Sequence, residues 1–287
     1  RPSLVVSQPD RPRGRGQAVS PTPVRARALA LGLDTVTMQR ESYANGVRAV
    51  MAHAPDIIVV VAFGLILRRD LLGLPPRGCV NVHASLLPHH RGVSPIQAAI
   101  LAGDAVTGCT TMLIDEGVDT GDILLREETP VQPDDTAGSL SARLAGMGAR
   151  LLVRTLDGLC DGSVNAVAQD HARATTTKKV RKSHGLIDWS RDAVSLERLV
   201  RAMSPWPSAF TTHRGKRLIV EEAAARDDTR GGEPGEVAAS DPLVIACGSG
   251  ALEIRRLRPE GRRAMTPREY AAGHPLAAGD RFGADQR

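Results

Sequence analysis

The chain has 287 residues, enough for two domains of ordinary size. With 42% hydrophobic and only 2% aromatic residues, its core must be built from Val, Leu, Ile and Ala. It contains no run of eighteen apolar residues, and its polar, Arg/Pro-rich start lacks the apolar stretch of a secretory signal, so neither a membrane span nor export is expected and the location reads as cytoplasmic. The formal net charge of +5 resolves into three parts: residues 1–30 carry six Arg and one acid, 31–170 ten basic and sixteen acidic residues, and 171–287 twenty-one basic and fifteen acidic residues. Basic ends suit a polyanion such as nucleic acid, or serve solubility alone. The four cysteines (Cys79, Cys109, Cys160, Cys247) have no CxxC spacing and read as reduced core residues.

In chain order, residues 3–8 read as a strand and 22–31 as a helix, with Pro23 suited to its first turn. Residues 41–53 read as a second helix ended by Pro55. The continuous apolar run 56–62 is what a strand covered on both faces needs. Strands are expected at 78–83, 109–114 and 123–128, and a helix at 93–102. This alternation argues for an α/β fold with an open, mostly parallel Rossmann-like sheet flanked by helices. Residues 136–160 form the strongest helix, with Leu140, Leu144, Met147, Leu151 and Leu152 on one face and Asp135 or Thr136 as its cap. The texture changes after Gly162, and 163–190 reads as a polar, basic linker. A helix at 194–203 is followed by short alternating runs separated by Gly, Pro and Asp, the pattern of a small C-terminal β-barrel (OB-like) or sandwich over 191–287. The Gly/Ala/Pro-rich end, 271–287, is expected to be poorly ordered.

The informative stretch is NVHASLLPHHRGVSPIQAAI (81–100). Asn81 and His83 are two apart at a strand end, so their side chains emerge on one face, and ligands bind at strand ends in open α/β sheets. A second loop, DEGVDTGDIL (115–124), carries Asp119 between Gly117 and Gly121. If both loops meet at one sheet edge, the three side chains suit acyl-type transfer. Asn81 would hold a carbonyl oxygen as charge develops there. His83 would handle the proton of an attacking amine, since an imidazole titrates near neutrality. Asp119 would orient and charge-stabilise that imidazole or hold a relaying water. Taken alone, a histidine near a strand end is more often structural than catalytic. His89 and His90 lie in a turn and read as surface or supporting residues, and no spacing matches a metal motif.

These segments, NVHASLLPHHRG with PIQAAILAG, TGCT and DEGVDTGDIL, resemble the folate-dependent formyltransferases, whose shared pattern is N-x-H-x-S-L-L-P followed by an Asp in a D-x-G loop. The separation of thirty-six positions from His83 to Asp119 fits that spacing. QPDRPRGRGQAVSPTPV (8–24), VVVAFGLIL (59–67), LIDWS (186–190) and LVRAMSPWPSAF (199–210) are similar to the members that act on initiator methionyl-tRNA. The resemblance implies 10-formyltetrahydrofolate as donor, the α-amino group of methionine on initiator tRNA as acceptor, no metal, and a monomer. It carries the catalytic roles to Asn81, His83 and Asp119, a folate-binding turn to Ser85, Leu86, Leu87 and Pro88, and tRNA contacts to Arg11, Arg13 and Arg15. It further implies a catalytic domain over 1–162, a linker over 163–190 and a tRNA-binding barrel over 191–287. Trp189 and Trp206 are expected to pack rather than react. The family pattern begins with a strand, a Gly-Thr-Pro loop and a helix ahead of QPDRP. The chain here starts at Arg1, so that first strand–loop–helix is expected to be absent. Two other readings stand beside this one: a related enzyme with a different acceptor, and a non-catalytic tRNA-binding fragment.

Overall fold

A computed structural model of the chain describes residues 1–13, 17–227 and 232–283. In chain order the elements are β1 (Val5–Ser7), β2 (Arg11–Arg13), β3 (Ala18–Ser20), α1 (Pro23–Ala30), β4 (Thr35–Thr37), α2 (Tyr43–Ala52), β5 (Ile58–Val60), α3 (Arg69–Leu72), β6 (Cys79–His83), β7 (Arg91–Gly92), α4 (Pro95–Ala102), β8 (Val106–Leu113) and β9 (Ile123–Pro130). They continue with α5 (Ala137–Asp161), β10 (Thr176–Thr177), α6 (Ala193–Ala202), β11 (Ala209–His213), β12 (Lys216–Arg226), β13 (Val237–Ser240), β14 (Leu243–Ala246), β15 (Ala251–Pro259) and α7 (Pro267–Gly273). Two compact units emerge, neither contiguous in sequence: 1–83 with 109–127 and 148–173, and 84–108 with 128–147 and 174–287.

In the first unit β1 pairs in parallel with β4, and β5 in parallel with β6. The sheet order β5-β6-β8-β9 makes β6 an inner strand, and its second partner, β8, runs antiparallel, so this sheet is mixed. The turn at 115–121 returns the chain from β8 into β9. The reversal is already made at β8, which the chain enters after α4 and lays antiparallel to β6. Helix α1 begins where Thr22 Oγ1 accepts the Arg25 amide at 3.2 Å, with Pro23 in its first turn. Met38, Tyr43, Val47, Val50 and Leu71 form an apolar cluster backed by Leu4, Val6, Ile58, Phe63, Leu65, Leu67 and Leu74. Burying such side chains contributes about 1.5–3 kcal/mol each. The long α5 buries Leu140, Leu144, Met147 and Leu151 along one face, as its periodicity requires. At Gly148 it lies so close to β6 that a Cβ would stand 2.9 Å from Val82 Cγ1.

In the second unit, β11-β12-β15-β14-β13 form a five-stranded antiparallel sheet, with α6 packed on β12. Isolated bridges from Phe282 to His213 of β11 and from Arg281 to Glu236, the residue before β13, hold the end of the described chain. The expected disorder of the C-terminal segment is therefore corrected for its described part. Phe282 is buried, stacks on His213 (centroids 4.6 Å apart) and meets the edge of Trp189. An aromatic residue that fills a core site outweighs the Gly/Ala/Pro composition around it.

Trp189 is itself buried, its indole N–H donating to Thr211 Oγ1 at 3.0 Å, whereas Trp206 is 53% exposed and does not serve as a core residue. Among the cysteines, Cys79, Cys109 and Cys247 are buried and Cys160 is exposed. Burial pushes the thiols of Cys79 and Cys109 up to about 11 and that of Cys247 to about 12, so these three stay protonated. No described helix is long and apolar enough to cross a membrane.

Candidate active site

The site is built on the end of β6. Asn81 pairs with Val60 of β5 and Met112 of β8, and His83 with Thr110. Val82, between them, meets α5 at Gly148, so strand alternation directs Asn81 and His83 to the opposite face. Asp119 reaches that face from the β8–β9 turn. Its Oδ1 accepts from Asn81 Nδ2 at 3.4 Å, and its Oδ2 lies 3.6 Å from His83 Nδ1. The His83 side chain is 7% exposed and that of Asp119 18%, so the charge of the carboxylate acts on the imidazole with little water between them. The 3.6 Å separation is an ion-pair distance rather than a hydrogen bond; such geometry in an unliganded site commonly tightens when the reactants are held.

The turn bearing Asp119 is over-determined. The Asp115 carboxylate accepts the Gly117 amide at 3.0 Å and the Thr120 hydroxyl at 2.7 and 2.8 Å. Gly121 passes so near the strand that a Cβ there would stand 2.0 Å from the Leu113 carbonyl oxygen. Asp119 itself has φ +53, a left-handed conformation that costs a side-chain-bearing residue about 1 kcal/mol or more. The Gln169 side-chain amide donates to the carbonyl of Asp119 at 2.9 Å and to that of Gly121 at 2.7 Å. Sequence reasoning placed Asp119 but missed Asp115, Thr120 and Gln169. The Asx-type turn at Asp115 was legible in principle, since an Asp two residues before Gly is a common turn signal. Gln169 carries no local signal: it lies in a polar stretch forty-eight residues beyond Gly121.

The remaining candidates are placed as follows. Ser85 is buried and its hydroxyl donates to the His89 carbonyl at 2.6 Å; Leu87 and Pro88 are buried and Leu86 is half-buried, in a turn closed by the His89 amide on the Leu86 carbonyl. His90 Nε2 is 2.6 Å from Asp104 Oδ2, which lies just past the end of α4. Arg11 is exposed in the β2–β3 hairpin, donating to Gln8 Oε1 at 2.9 Å. Arg13 ends β2 by its backbone, its side chain falling outside what is described, and Arg15 lies outside the described residues. The base of the hairpin is fixed: Arg25 donates to both carboxylate oxygens of Asp10 at 2.6 and 2.7 Å, and Ser7 Oγ lies 2.7 Å from Thr22 Oγ1. Among the described residues, no group of three or more His, Cys, Asp or Glu is arranged to hold a metal.

Comparison with known proteins gives this arrangement a family. Residues 2–156 match the formyl transferase family and residues 179–275 the formyl transferase C-terminal domain. The chain is 45% identical to the methionyl-tRNA formyltransferase of Desulfotalea psychrophila over 276 residues, covering 96% of this chain and 85% of that protein. It is 46% identical to the methionyl-tRNA formyltransferase of Pseudomonas putida over 264 residues, covering 91% and 84%. Among solved structures it shares its fold with HypX from Aquifex aeolicus in complex with tetrahydrofolic acid (TM-score 0.61, 17% identity, 89% of this chain and 47% of that one). It shares it too with the sugar 3N-formyl transferase WlaRD (TM-score 0.60, 17% identity, 83% and 82%). Both halves of the chain and their order therefore agree with one assignment: the chain belongs to the methionyl-tRNA formyltransferases of the formyl transferase family.

Proposed function

We propose that Asn81, His83 and Asp119 carry out the transfer of the formyl group of 10-formyltetrahydrofolate to the α-amino group of methionine on initiator methionyl-tRNA. The observation that carries this assignment is the convergence of Asn81 Nδ2 and His83 Nδ1 on the two carboxylate oxygens of Asp119, at 3.4 and 3.6 Å. In the reaction the methionyl amine attacks the formyl carbon. A new C–N bond forms, charge gathers on the formyl oxygen, and the bond from the formyl carbon to N10 of the folate breaks. The amine loses one proton and N10 gains one. Asn81 has two N–H donors on Nδ2. One is turned to Asp119, which fixes the plane of the amide; the other meets the formyl oxygen as it becomes negative. His83 takes the amine proton and passes it toward N10. Asp119 holds the imidazole in place and stabilises its charged form.

In this reading the folate lies against the turn Ser85, Leu86, Leu87 and Pro88, and Arg11, Arg13 and Arg15 meet tRNA phosphates. Residues 1–162 act as the catalytic domain, 163–190 as a linker and 191–287 as a second tRNA-binding domain. The chain acts as a monomer in the cytoplasm. Net positive charge in 1–30 and 171–287 supports the tRNA contacts, because neutralised phosphates release counterions. The test is formyl transfer from 10-formyltetrahydrofolate to methionyl-initiator tRNA with His83→Ala as control. Transfer by the unmodified chain that disappears in His83→Ala, with tRNA still bound, supports the roles. Equal transfer by both chains would remove His83 from the chemistry.

A further inference from the structure

We infer that Gln169 is a positioning residue for the reaction: it holds Asp119 at the distance from Asn81 and His83 that transfer requires. The inference rests on the roles proposed above for those three residues.

Three observations carry it. First, Gln169 is only 5% exposed, although it stands in a stretch whose composition reads as linker. Its position is set by the sheet. Val167 exchanges both backbone hydrogen bonds with Ile123, the first residue of β9, at 2.8 and 2.9 Å, and Gln169 follows two residues later. Second, one nitrogen serves both carbonyls that flank Thr120, those of Asp119 and Gly121. A primary amide has two N–H groups, and here both are spent on one turn of the backbone. Third, that turn is one the chain does not adopt cheaply, with Asp119 at φ +53 and Gly121 where no Cβ fits. Such conformations persist only where surrounding structure over-determines them, and they gather where a side chain must be aimed. Asp115 grips the same turn from its solvent side through Gly117 and Thr120, so Gln169 supplies the grip from within.

The consequence is mechanical. Asp119 stands in a turn held from both sides, and the turn sets where its carboxylate meets Asn81 Nδ2 and His83 Nδ1. Release of the inner clamp lets the carboxylate drift from His83 while the fold stands. A displacement near 1 Å in a reacting constellation costs up to about a hundredfold in rate. Because the Gln169 amide acts through the backbone carbonyls of Asp119 and Gly121, the loss is expected to fall on kcat and not on KM.

The experiment is a double-mutant cycle between Gln169→Leu and Asp119→Asn, read by single-turnover formyl transfer, with KM measured for both substrates. Gln169→Leu is expected to lower kcat about tenfold to a hundredfold, with both KM values within about twofold of the unmodified chain. In the Asp119→Asn background the same change is expected to cost less than about twofold, because the clamp then has no carboxylate to aim. Losses that multiply across the cycle, or a loss carried by KM alone, overturn the inference. Should Gln169→Leu fail to fold, Gln169→Asn keeps an amide one methylene short of the carbonyls and is expected to show the same split. Amide hydrogen exchange over 117–121 in the unmodified and variant chains does not depend on turnover. Faster exchange in the variant supports the clamp and unchanged exchange refutes it. If the unmodified chain transfers no formyl group, the assigned reaction fails by itself and the exchange measurement still decides the clamp.

Discussion

The turn at 115–121 and the arginine-bearing hairpin at 8–20 belong to the same unit, yet they are held in opposite ways. The turn is gripped along its whole length, by Asp115 on one side and Gln169 on the other, with Gly121 pressed against the Leu113 carbonyl. The hairpin is held at its base, by Arg25 on Asp10 and Ser7 on Thr22, while Arg11 is exposed. A group that must sit within a fraction of an ångström of a reacting atom needs every backbone degree of freedom fixed. A guanidinium that meets a phosphate acts through charge over a longer range and tolerates movement.

The contrast yields predictions that differ in size. His83→Ala should cost the most: kcat/KM for formyl transfer about 10²–10⁴-fold lower, with tRNA affinity in a filter-binding assay within about twofold. Loss of tRNA affinity on that scale would mean that chemistry and acceptor binding are not separable. Next, Gly121→Ala places a methyl group against the Leu113 carbonyl oxygen at 2.0 Å, so the turn must move. Denaturant unfolding should show about 1–3 kcal/mol lower stability, and transfer should fall with it. A variant that keeps full activity would show that Asp119 does not need this turn.

Arg11→Ala should act differently, weakening tRNA binding a few-fold and lowering the slope of log affinity against log salt by about 0.7–0.9. Folate binding should be unchanged, and a shift in it would end the assignment of this hairpin to the acceptor.

The smallest effect separates loop behaviour from general stability. His213 is buried, with Nδ1 2.8 Å from the Tyr270 hydroxyl and its ring stacked on Phe282. Burial lowers its pKa below 6.5, and the nearby charges of Arg214 and His274 act in the same direction while Asp280 opposes them. A lowered folded-state pKa means that the unfolded chain takes up the proton first. The stability contribution is therefore complete above pH 6.5 and declines as pH falls from 6.5 toward the folded-state value. Urea unfolding followed between pH 7.5 and 5 should show this decline, and His213→Asn should flatten it. An equal slope in both chains would assign the pH dependence to other groups.

Local pattern was enough for most of the elements before residue 162. The 3.6-residue spacing of Leu140, Leu144, Met147 and Leu151 located α5, and the apolar runs located β5, β6, β8 and β9, because periodicity and run length are properties of neighbouring residues. The short strands β2, β3 and β4 escaped notice: three residues give too few alternations to count. Asn81 and His83 could be read as a pair because strand geometry alone puts residues two apart on one face.

The sequence by itself determined which residue types stand at the end of β6 and in the turn after β8, and that the chain alternates strand and helix before becoming β-rich. Only the tertiary structure decided that Asp119 meets Asn81 and His83, since a separation of thirty-six residues is bridged by strand pairing and not by any local rule. It alone decided that Gln169, in a stretch that reads as linker, is buried against the turn, and that Phe282, in a stretch that reads as a loose end, completes a core. Both outcomes have one physical cause. A polar or Gly-rich segment has little structure of its own, so a single buried hydrogen-bonding group or aromatic ring that finds partners elsewhere in the fold fixes its place.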